Sequence, residues 1–439
     1  MTRVDHAFLD KLFDELFPIL RSITGPGLHQ SLEIVSRHMP LTILTVPGGT
    51  RVFDWTVPPE WHLRSARLTH ESGRVIADVA DSNLHVLNYA TPVDIRLSRE
   101  ELDPHLHSLP DVPEAIPYAT SYYKPAWGFC LKDSVRRALP PGLYHAKIDS
   151  AFVDGVLPIG ESVLEGETKS EILLSSYLCH PSLGNNELSG PLSLLGVYQR
   201  LKSWPRRRYT YRFVLNPETI GSLCYLHLRA DHLRKYLAAG TILNCLGGPN
   251  PQLTYKVSKR GDSLLDRVML SRADRGAALI RPFDPTEGSD ERQYCSAGFN
   301  FPMGQTARTY GEPPYYHTSL DDKAYMSIAS VVKSVDDIES VLRTVEIAGT
   351  FRNLSPYGEP QLGKRGLYPT MNVGGISADG EIDARTMVDR ILTLLSYSDG
   401  TMPVHEIARK HGLVTEDFRA ALERLEEGSL LRLEPRPNA

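Results

Sequence analysis

Polar residues that could do chemistry are concentrated in four short stretches, each of which follows a strand-like run or lies in a Gly- and Pro-rich loop. The stretches are "SSYLCHPSLGNNELSG" (175–190), "FVLNPETIGS" (213–222), "PTEGSDERQYCSAGFNFP" (285–302) and "GEPPYYHTSLDD" (311–322). Together they supply the imidazoles of His180 and His317 and several carboxylates, including those of Glu218 and Asp290. Imidazoles and carboxylates gathered at strand ends are the ligand set of a catalytic zinc site. Each stretch taken alone also fits a helix cap, a turn or a solvated loop.

The elements that must position these residues follow from the hydrophobic pattern. From about residue 170 the chain alternates strand, helix and strand, beginning with a strand-like run over 171–178. This alternation predicts a mixed or parallel sheet with helices on both faces, and in such sheets the loops after the strands' carboxyl ends carry ligands and catalytic groups.

Residues 41–131 have a different texture, with short strands separated by Pro and Gly. This pattern is typical of a compact all-β unit such as a sandwich or jelly roll. The region is rich in aromatic residues, which fit a sandwich core better than a sugar-binding platform. They are Trp55, Trp61, Tyr122, Tyr123 and Trp127.

The last part of the chain predicts a winged helix-turn-helix. Residues 384–434 have the pattern of a helix, a short helix, a turn at Gly412, a second helix and a closing strand pair around Gly428. The second helix, 415–427, is the one that would enter a DNA groove. It carries Glu416, Asp417, Glu423, Glu426 and Glu427 against Arg419 and Arg424. Because an acidic helix matches phosphates poorly, we expect a packing or dimerisation role and no nucleic-acid partner.

Length and composition set further limits. A chain of 439 residues predicts two or three domains, and 41% hydrophobic with 23% charged residues is typical of a soluble globular protein. A net charge of −5 offers no broad attraction to nucleic acid or to an anionic membrane. Acidic and apolar residues alternate at helical spacing at the N-terminus, which predicts a helix rather than a signal peptide or a membrane span. Five scattered cysteines without a CxxC pair predict reduced thiols in a cytoplasmic protein.

In order and spacing, the four stretches resemble the zinc aminopeptidase family that includes secreted bacterial leucyl aminopeptidases and glutamate carboxypeptidase. The matching segments are His180 with "NNELSG", then "ETIG", "GSD" and "HTSLD". The whole chain more closely resembles a bacterial group of aminopeptidase-like proteins often associated with polysaccharide or secondary-metabolite gene clusters, most specifically in "VFDWTVPPEW" and "CHPS".

The resemblance implies an α/β protein with three parts. A zinc-aminopeptidase-like, three-layer α/β/α domain would comprise residues 1–40 and 132–380. An inserted all-β, jelly-roll-like domain would comprise 41–131, and a C-terminal winged helix would comprise 381–439.

Three positions depart from the two-zinc pattern of that family. Asn186 stands where the family has the metal-bridging aspartate, Thr219 replaces the second residue of a Glu-Glu pair, and Ser182 replaces an aspartate. Asn and Thr offer oxygen atoms but not the negative charge that lets two dications lie roughly 3.5–4 Å apart. We therefore expect one zinc ion and no complete second site.

The resemblance also assigns roles to individual residues. His180, Asp290 and His317 are the expected metal ligands, with Asn186 as a further oxygen donor. Glu218 occupies the position of the family's general base, which takes a proton from the zinc-bound water and passes it to the leaving nitrogen.

The remaining roles are less closely defined. Tyr316 and Tyr315 are candidate donors to the oxyanion, and Tyr315 is also a candidate substrate-binding residue. Two tyrosines on a loop are just as often packing groups. Glu187 could hold a substrate ammonium group, approach the metal, or be a solvated glutamate at a helix start. Asp321 is expected to orient a metal ligand without touching the metal.

The sequence thus predicts a zinc-dependent hydrolase of a peptide or amide bond, an aminopeptidase acting on a small peptide or amide-linked metabolite. The alternative is a catalytically silent binding or scaffold protein of the same fold in a biosynthetic pathway. Asn186 and Thr219 favour the alternative. Retention of Glu218, His180, Asp290 and His317 favours the enzyme. A transcription regulator built on the winged helix is a third hypothesis, which the acidic helix weakens. We expect no membrane partner, and a homo-oligomer could form through the β insertion or the winged helix.

Overall fold

The computed structural model describes residues 5–368 and 383–434. The chain divides into two compact units, Met1–Arg260 with Arg281–Asp337 and Gly261–Ile280 with Ile338–Ala439. The α-helices are α1 (His6–Leu16), α2 (Pro26–Ser36), α3 (Arg99–Leu102), α4 (Asp133–Arg137), α5 (Ser189–Lys202), α6 (Ile220–Tyr236), α7 (Leu264–Ala273), α8 (Glu291–Tyr294), α9 (Ile328–Val345), α10 (Ala384–Tyr397), α11 (Val404–Lys410) and α12 (Arg419–Glu427). The strands are β1 (Thr42–Pro47), β2 (Arg51–Val52), β3 (Trp55–Thr56), β4 (Glu60–His70), β5 (Val75–Asp78), β6 (Val93–Ser98), β7 (Leu106–His107), β8 (Phe129–Cys130), β9 (Leu143–Val153), β10 (Val156–Leu164), β11 (Glu171–Tyr177), β12 (Thr210–Asn216), β13 (Leu237–Leu243), β14 (Thr254–Lys256), β15 (Leu279–Arg281), β16 (Met303–Ala307), β17 (Thr350–Asn353), β18 (Asp399–Pro403) and β19 (Leu431–Leu433). Short 3₁₀ turns span Asn83–His85, Asp103–His105, Gly363–Arg365 and Thr415–Phe418, and a π-helical turn spans Gly184–Leu188.

The central sheet of the first unit has the strand order β1-β10-β12-β11-β13-β16-β14. The pairs β12–β11, β11–β13 and β13–β16 are parallel, whereas β1–β10, β10–β12 and β14–β16 are antiparallel. Every residue of β11 and β12 is buried, as expected for parallel strands that are covered on both faces. The predicted mixed α/β class and the strand predicted from residue 171 are confirmed.

A second, antiparallel sheet has the order β5-β4-β9-β6. Its pairing does not follow the limits predicted for the β insertion. β1 lies within 41–131 but pairs with β10 of the central sheet, and β9 lies outside that range but pairs with β4 and β6. Backbone pairing joins segments that differ in composition, so the domain limits 1–40, 132–380, 41–131 and 381–439 stay predictions. The limit at 380/381 lies outside the described residues.

The winged helix-turn-helix predicted near the C-terminus is confirmed. α10, α11 and α12 pack around a hydrophobic cluster that includes Ile391, Ile407 and Leu422. The small sheet has the order β18-β17-β19, so the strand between the other two comes from residues 350–353, upstream of the predicted domain. Only one strand, β19, follows Gly428 among residues 429–434. Its partner is β17, not a neighbouring hairpin strand as the sequence pattern suggested.

The N-terminal helix and the cysteines also agree with the sequence. The predicted N-terminal helix is present as α1, which buries Leu9, Leu12, Phe13 and Leu16. All five cysteines are buried and free. Within residues 5–368 and 383–434, no helix combines the length and apolar character needed to cross a membrane.

Candidate functional site

The site begins where two parallel strands end side by side. β11 and β12 are paired up to Tyr177 and Asn216, and the backbone N–H of Leu178 donates to Asn216 O at 2.9 Å. The chain segments that leave these strands carry His180 and Glu218. Their side chains meet, with His180 Nε2 at 3.8 Å from Glu218 Oε2. Neighbouring parallel strands thus bring together an imidazole and a carboxylate that are distant in the sequence.

Glu187 fixes the orientation of the His180 ring. Glu187 Oε2 lies 2.7 Å from His180 Nδ1, and its Oε1 accepts a hydrogen bond from the backbone N–H of Cys179. A carboxylate that holds Nδ1–H leaves Nε2 as the free nitrogen, which is the usual arrangement behind a metal-binding histidine. Burial alone would lower the pKa of His180, but the adjacent Cys179 and Glu187 raise it well above its ordinary value.

The position of Glu187 differs from the predicted substrate contact. Its side chain is fully buried and both oxygens face protein donors, with Arg21 Nε at 3.8 Å. Arg21 also donates through Nε to His180 O at 2.9 Å. A glutamate closed behind His180 cannot receive a substrate ammonium group, so this expectation is corrected. The sequence pattern gave no signal for Arg21, which lies in the turn after the N-terminal helix.

His317 lies opposite His180, with 5.5 Å between the ring centroids. The ring of Tyr316 stacks on it at 3.9 Å, which restricts its rotation. Burial, followed by the charge of His180, lowers the pKa of His317 to about 3, so the ring is neutral at neutral pH. Neutral imidazole is the form that binds a metal. His317 Nε2 is buried and has no hydrogen-bond partner among the described residues.

Asn186 and Asp321 form the third part of the site. The backbone N–H groups of Asn185 and Asn186 donate to Asp321 Oδ1 and Oδ2 at 2.6 and 2.8 Å, which fixes the turn before α5. Burial, despite these two bonds, raises the pKa of Asp321 to about 6. The side-chain nitrogen of Asn186 donates to the Tyr177 hydroxyl at 3.2 Å, while its Oδ1 is buried without a partner within the described part of the chain.

Asp290 is surrounded by protein donors. Its Oδ1 accepts from Thr219 N at 2.7 Å and Ser222 Oγ at 3.1 Å, and its Oδ2 accepts from Asn216 Nδ2 at 3.1 Å. These bonds hold the turn between β12 and α6, where Thr219 has a φ of 61°. Burial, together with the charge of Glu218, raises the pKa of Asp290 to about 7.

The predicted ligands do not form one compact cluster. Among the described residues, the group of His, Cys, Asp or Glu donors that lie within 4.8 Å of one another is Cys179, His180 and Glu187. Asp290 and His317 are not part of it. In that group Nδ1 already faces Glu187, and burial, against the charge of His180, raises the pKa of the Cys179 thiol to about 11. A neutral thiol behind a hydrogen-bonded ring is a poor zinc ligand, because the thiolate is the ligating form.

Glu218 is held in place by one hydroxyl group. Ser289 Oγ donates to Glu218 Oε1 at 2.6 Å, so Oε2 is the oxygen that lies near His180. The Glu218 side chain is 28% exposed, which leaves it accessible from the solvent. Burial raises the pKa of Glu218, although His180 and the Ser289 bond oppose the shift. A carboxylate with a raised pKa is a stronger proton acceptor than an ordinary surface glutamate.

The structure also distinguishes the aromatic residues. Tyr315 stacks on Tyr325 at 3.8 Å, which is a packing contact, whereas Tyr316 stacks on His317.

Tyr118 also lies at the site, although the sequence pattern did not indicate it. Its ring centroid lies 4.9 Å from His180 and 5.5 Å from His317, and its backbone N–H donates to His317 O at 2.8 Å. Part of the 41–131 region therefore lines the site.

Two buried atoms without hydrogen bonds bear on whether a metal fits. Leaving a buried polar atom unpaired costs roughly 1–3 kcal/mol, and a cation that reached Asn186 Oδ1 or His317 Nε2 would supply the partner that each lacks among the described residues. Together with His180 Nε2, which would have to lose its proton first because the pKa of His180 is raised, these atoms would give a largely neutral donor set. The set fits one zinc ion better than two, since two adjacent dications need a bridging negative charge.

Two family models match this chain. A model described as a domain of unknown function (DUF4910) matches residues 10–348, and a winged helix-turn-helix model matches 349–433. A protein of Clostridium acetobutylicum, named as a polysaccharide biosynthesis protein with an aminopeptidase-like domain, is 38% identical over 424 residues, which cover 96% of this chain and 95% of that protein.

The fold is similar to those of several solved structures. A crystal structure of a protein from Clostridium acetobutylicum, described as a peptidase, has a TM-score of 0.85 at 36% identity and covers 98% of this chain and 96% of its own. A zinc aminopeptidase from Bacillus subtilis has a TM-score of 0.55 at 13% identity, with 77% of this chain and 93% of that chain covered. An M28 peptidase precursor from Shewanella amazonensis has a TM-score of 0.55 at 11% identity, with 78% and 92% covered. The last two show a shared fold only.

Proposed function

This chain belongs to a family of bacterial aminopeptidase-like proteins, and from that premise we propose that it is a zinc-dependent hydrolase of peptide or amide bonds. Its substrate would be a small peptide or an amide-linked metabolite, from which it removes an N-terminal residue. The observation that carries the proposal is the partly exposed Glu218 carboxylate, which has a raised pKa and lies 3.8 Å from His180 Nε2.

His180, His317 and Asn186 would hold the zinc ion, and Asp290 would join them if its carboxylate exchanged a protein donor for the metal. When bound, zinc supplies a Lewis acid that polarises an amide carbonyl and lowers the pKa of a ligating water to about 7. Glu187 holds His180 through Nδ1, so Nε2 is the nitrogen that would face the metal once it has lost its proton. Asp321 holds the backbone of Asn186 in position.

Glu218 would move the proton. Ser289 occupies its Oε1, so Oε2 accepts a proton from the attacking water and later delivers it to the leaving nitrogen. The raised pKa of Glu218 brings the carboxylate closer to the pKa needed for both steps. Tyr316, stacked on His317, is the candidate donor to the oxygen of the carbonyl group that is attacked.

Replacing Glu218 with Gln tests this assignment, because Gln keeps the size of the side chain and removes its basicity. We expect nearly unchanged zinc content and a hydrolytic rate that falls by roughly 10²-fold or more. His180→Ala is the matched comparison, since loss of a ligand should remove metal and activity together. Metal content by elemental analysis and a screen of aminoacyl amides and dipeptides give both readouts. If Glu218→Gln loses zinc as readily as His180→Ala, Glu218 is a ligand and the proposed base lies elsewhere.

A catalytically silent binding or scaffold protein is the second candidate. The three protein donors around Asp290 favour it, because they satisfy that carboxylate without a metal, as do the neutral residues Asn186 and Thr219. Purified protein that binds no zinc and hydrolyses no member of the screen would support this alternative.

A further inference from the structure

An open cleft of about 970 Å³ adjoins the candidate site. Gly288, Arg292 and Tyr310 are among its lining residues. The Tyr310 hydroxyl donates to Gly288 O at 2.9 Å, and the Tyr310 ring lies 5.9 Å from Tyr316, which stacks on His317. The cleft thus borders residues that contact the candidate site, and its volume is in the range of small-molecule pockets, roughly 300–1,000 Å³.

Two of the three arginines that line the cleft already have carboxylate partners. Arg308 donates to Asp337 at 2.7 Å and also to Asn250 O and Ser334 Oγ, so each of its three nitrogens already has a partner. Arg281 forms an ion pair with Glu287 and lies over the Tyr310 ring at 5.5 Å.

Arg292 differs from both. Its Nε donates to Ser289 O at 3.1 Å, but no carboxylate of the described residues lies within 4.0 Å of its guanidinium nitrogens. The terminal nitrogens of Arg292 are therefore available to a ligand in the cleft. A guanidinium group presents parallel N–H donors that match a carboxylate.

Ser289 fixes the distance between this guanidinium group and the proposed base. Its carbonyl oxygen accepts from Arg292, and its hydroxyl donates to Glu218. A substrate whose amide bond lies at Glu218 would extend its neighbouring groups into the cleft beside Arg292.

We propose that Arg292 binds a carboxylate of the substrate, so that the substrates are short peptides or amides with a free carboxylate near the bond that is cleaved. This inference rests on the proposed function, because it takes Glu218 as the place of cleavage.

Titration calorimetry of the full chain with N-acetyl-alanyl-alanine and with its C-terminal amide tests the inference, since the two probes differ in one charge. We expect the carboxylate probe to bind roughly 10-fold or more tightly than the amide, the usual effect of a hydrogen-bonded charged pair. Arg292→Gln should abolish this preference, whereas Arg292→Lys should keep part of it. Arg206→Gln is the control, because Arg206 pairs with Glu167 and does not line the cleft, and it should keep the preference.

Equal affinity of the unaltered protein for the two probes would overturn the inference, and so would an Arg292→Gln variant that keeps the preference. If Arg292→Gln lowers the affinity for both probes by the same factor, Arg292 has a structural role instead. If Arg292→Gln does not fold, the unaltered protein and Arg292→Lys still give the comparison. Binding that discriminates the probes without hydrolysis of alanyl-alanine would refute the proposed function alone. Hydrolysis of alanyl-alanine and alanyl-alaninamide with equal kcat/KM would refute the inference alone.

Discussion

Replacing Glu187 with Gln would test whether the buried ion pair behind His180 stabilises the fold and orients the His180 ring. The side chains of Glu187 and Arg21 both have 0% exposure, and their charged atoms lie 3.8 Å apart. Removing one partner of a buried ion pair costs about 3–5 kcal/mol, because the other charge stays buried without compensation. Gln retains one acceptor oxygen, and the Arg21 guanidinium also donates to His180 O and Leu16 O. We therefore expect Glu187→Gln to lower the free energy of unfolding by the lower end of that range, about 3 kcal/mol.

The same substitution should weaken zinc binding. The amide group of Gln presents a donor where Glu187 presents two acceptors to His180 Nδ1 and Cys179 N. The His180 ring then loses its fixed orientation, and loss of such a partner typically costs 10- to 100-fold in metal affinity. Urea unfolding of the zinc-free protein measures the first effect, and zinc titration against a competing chelator measures the second.

Glu167→Gln serves as the control in both assays. Glu167 pairs with Arg206, but each side chain is 46% exposed, so its removal should cost less than about 1 kcal/mol. If Glu187→Gln shifts the unfolding transition no more than Glu167→Gln does and binds zinc normally, the charge of Glu187 has no role in holding His180.

Three further predictions concern the metal, the winged helix and the acid stability. Elemental analysis of purified protein should find about one zinc per chain, since Asn186 lacks the charge for a second ion; two zinc ions that resist mild chelation would contradict this. The full chain should shift duplex DNA only weakly and in a salt-suppressed manner because α12 is acidic, and a sequence-selective shift at physiological salt would refute that expectation. Hydrogen bonds from Arg136 and then Arg99 lower the pKa of Asp103 to about 2, so its stabilisation is complete above about pH 4 and is lost as the pH falls towards 2. Asp103→Asn should remove this acid dependence of the free energy of unfolding, by no more than about 1 kcal/mol because the Asp103 side chain is 45% exposed. An unchanged pH profile of urea unfolding would show that the ion pair with Arg136 contributes nothing.

The sequence by itself determined the class of fold and the positions of the candidate site residues. Largely apolar runs such as 171–178 indicated the central strands, because strands covered on both faces are rich in apolar residues. The polar residues that follow those runs had to lie at the strand ends, which is why His180 and Glu218 could be named in advance. The helical periodicity of the C-terminal region likewise gave the winged helix-turn-helix.

Only the tertiary structure decided what each of those side chains faces. Glu187 was open to three interpretations in the sequence, and its burial beside Arg21 and His180 Nδ1 excludes the substrate contact. Asp290 is bonded to the turn around Thr219, and Tyr118 reaches the two histidines from a segment whose composition indicated a separate β unit. β17 pairs with β19 of the winged helix although it lies upstream of the predicted domain, which the local sequence pattern did not indicate. Spacing along the chain records the local periodicity of backbone structure, whereas contacts between distant segments depend on how the sheets and loops pack in three dimensions.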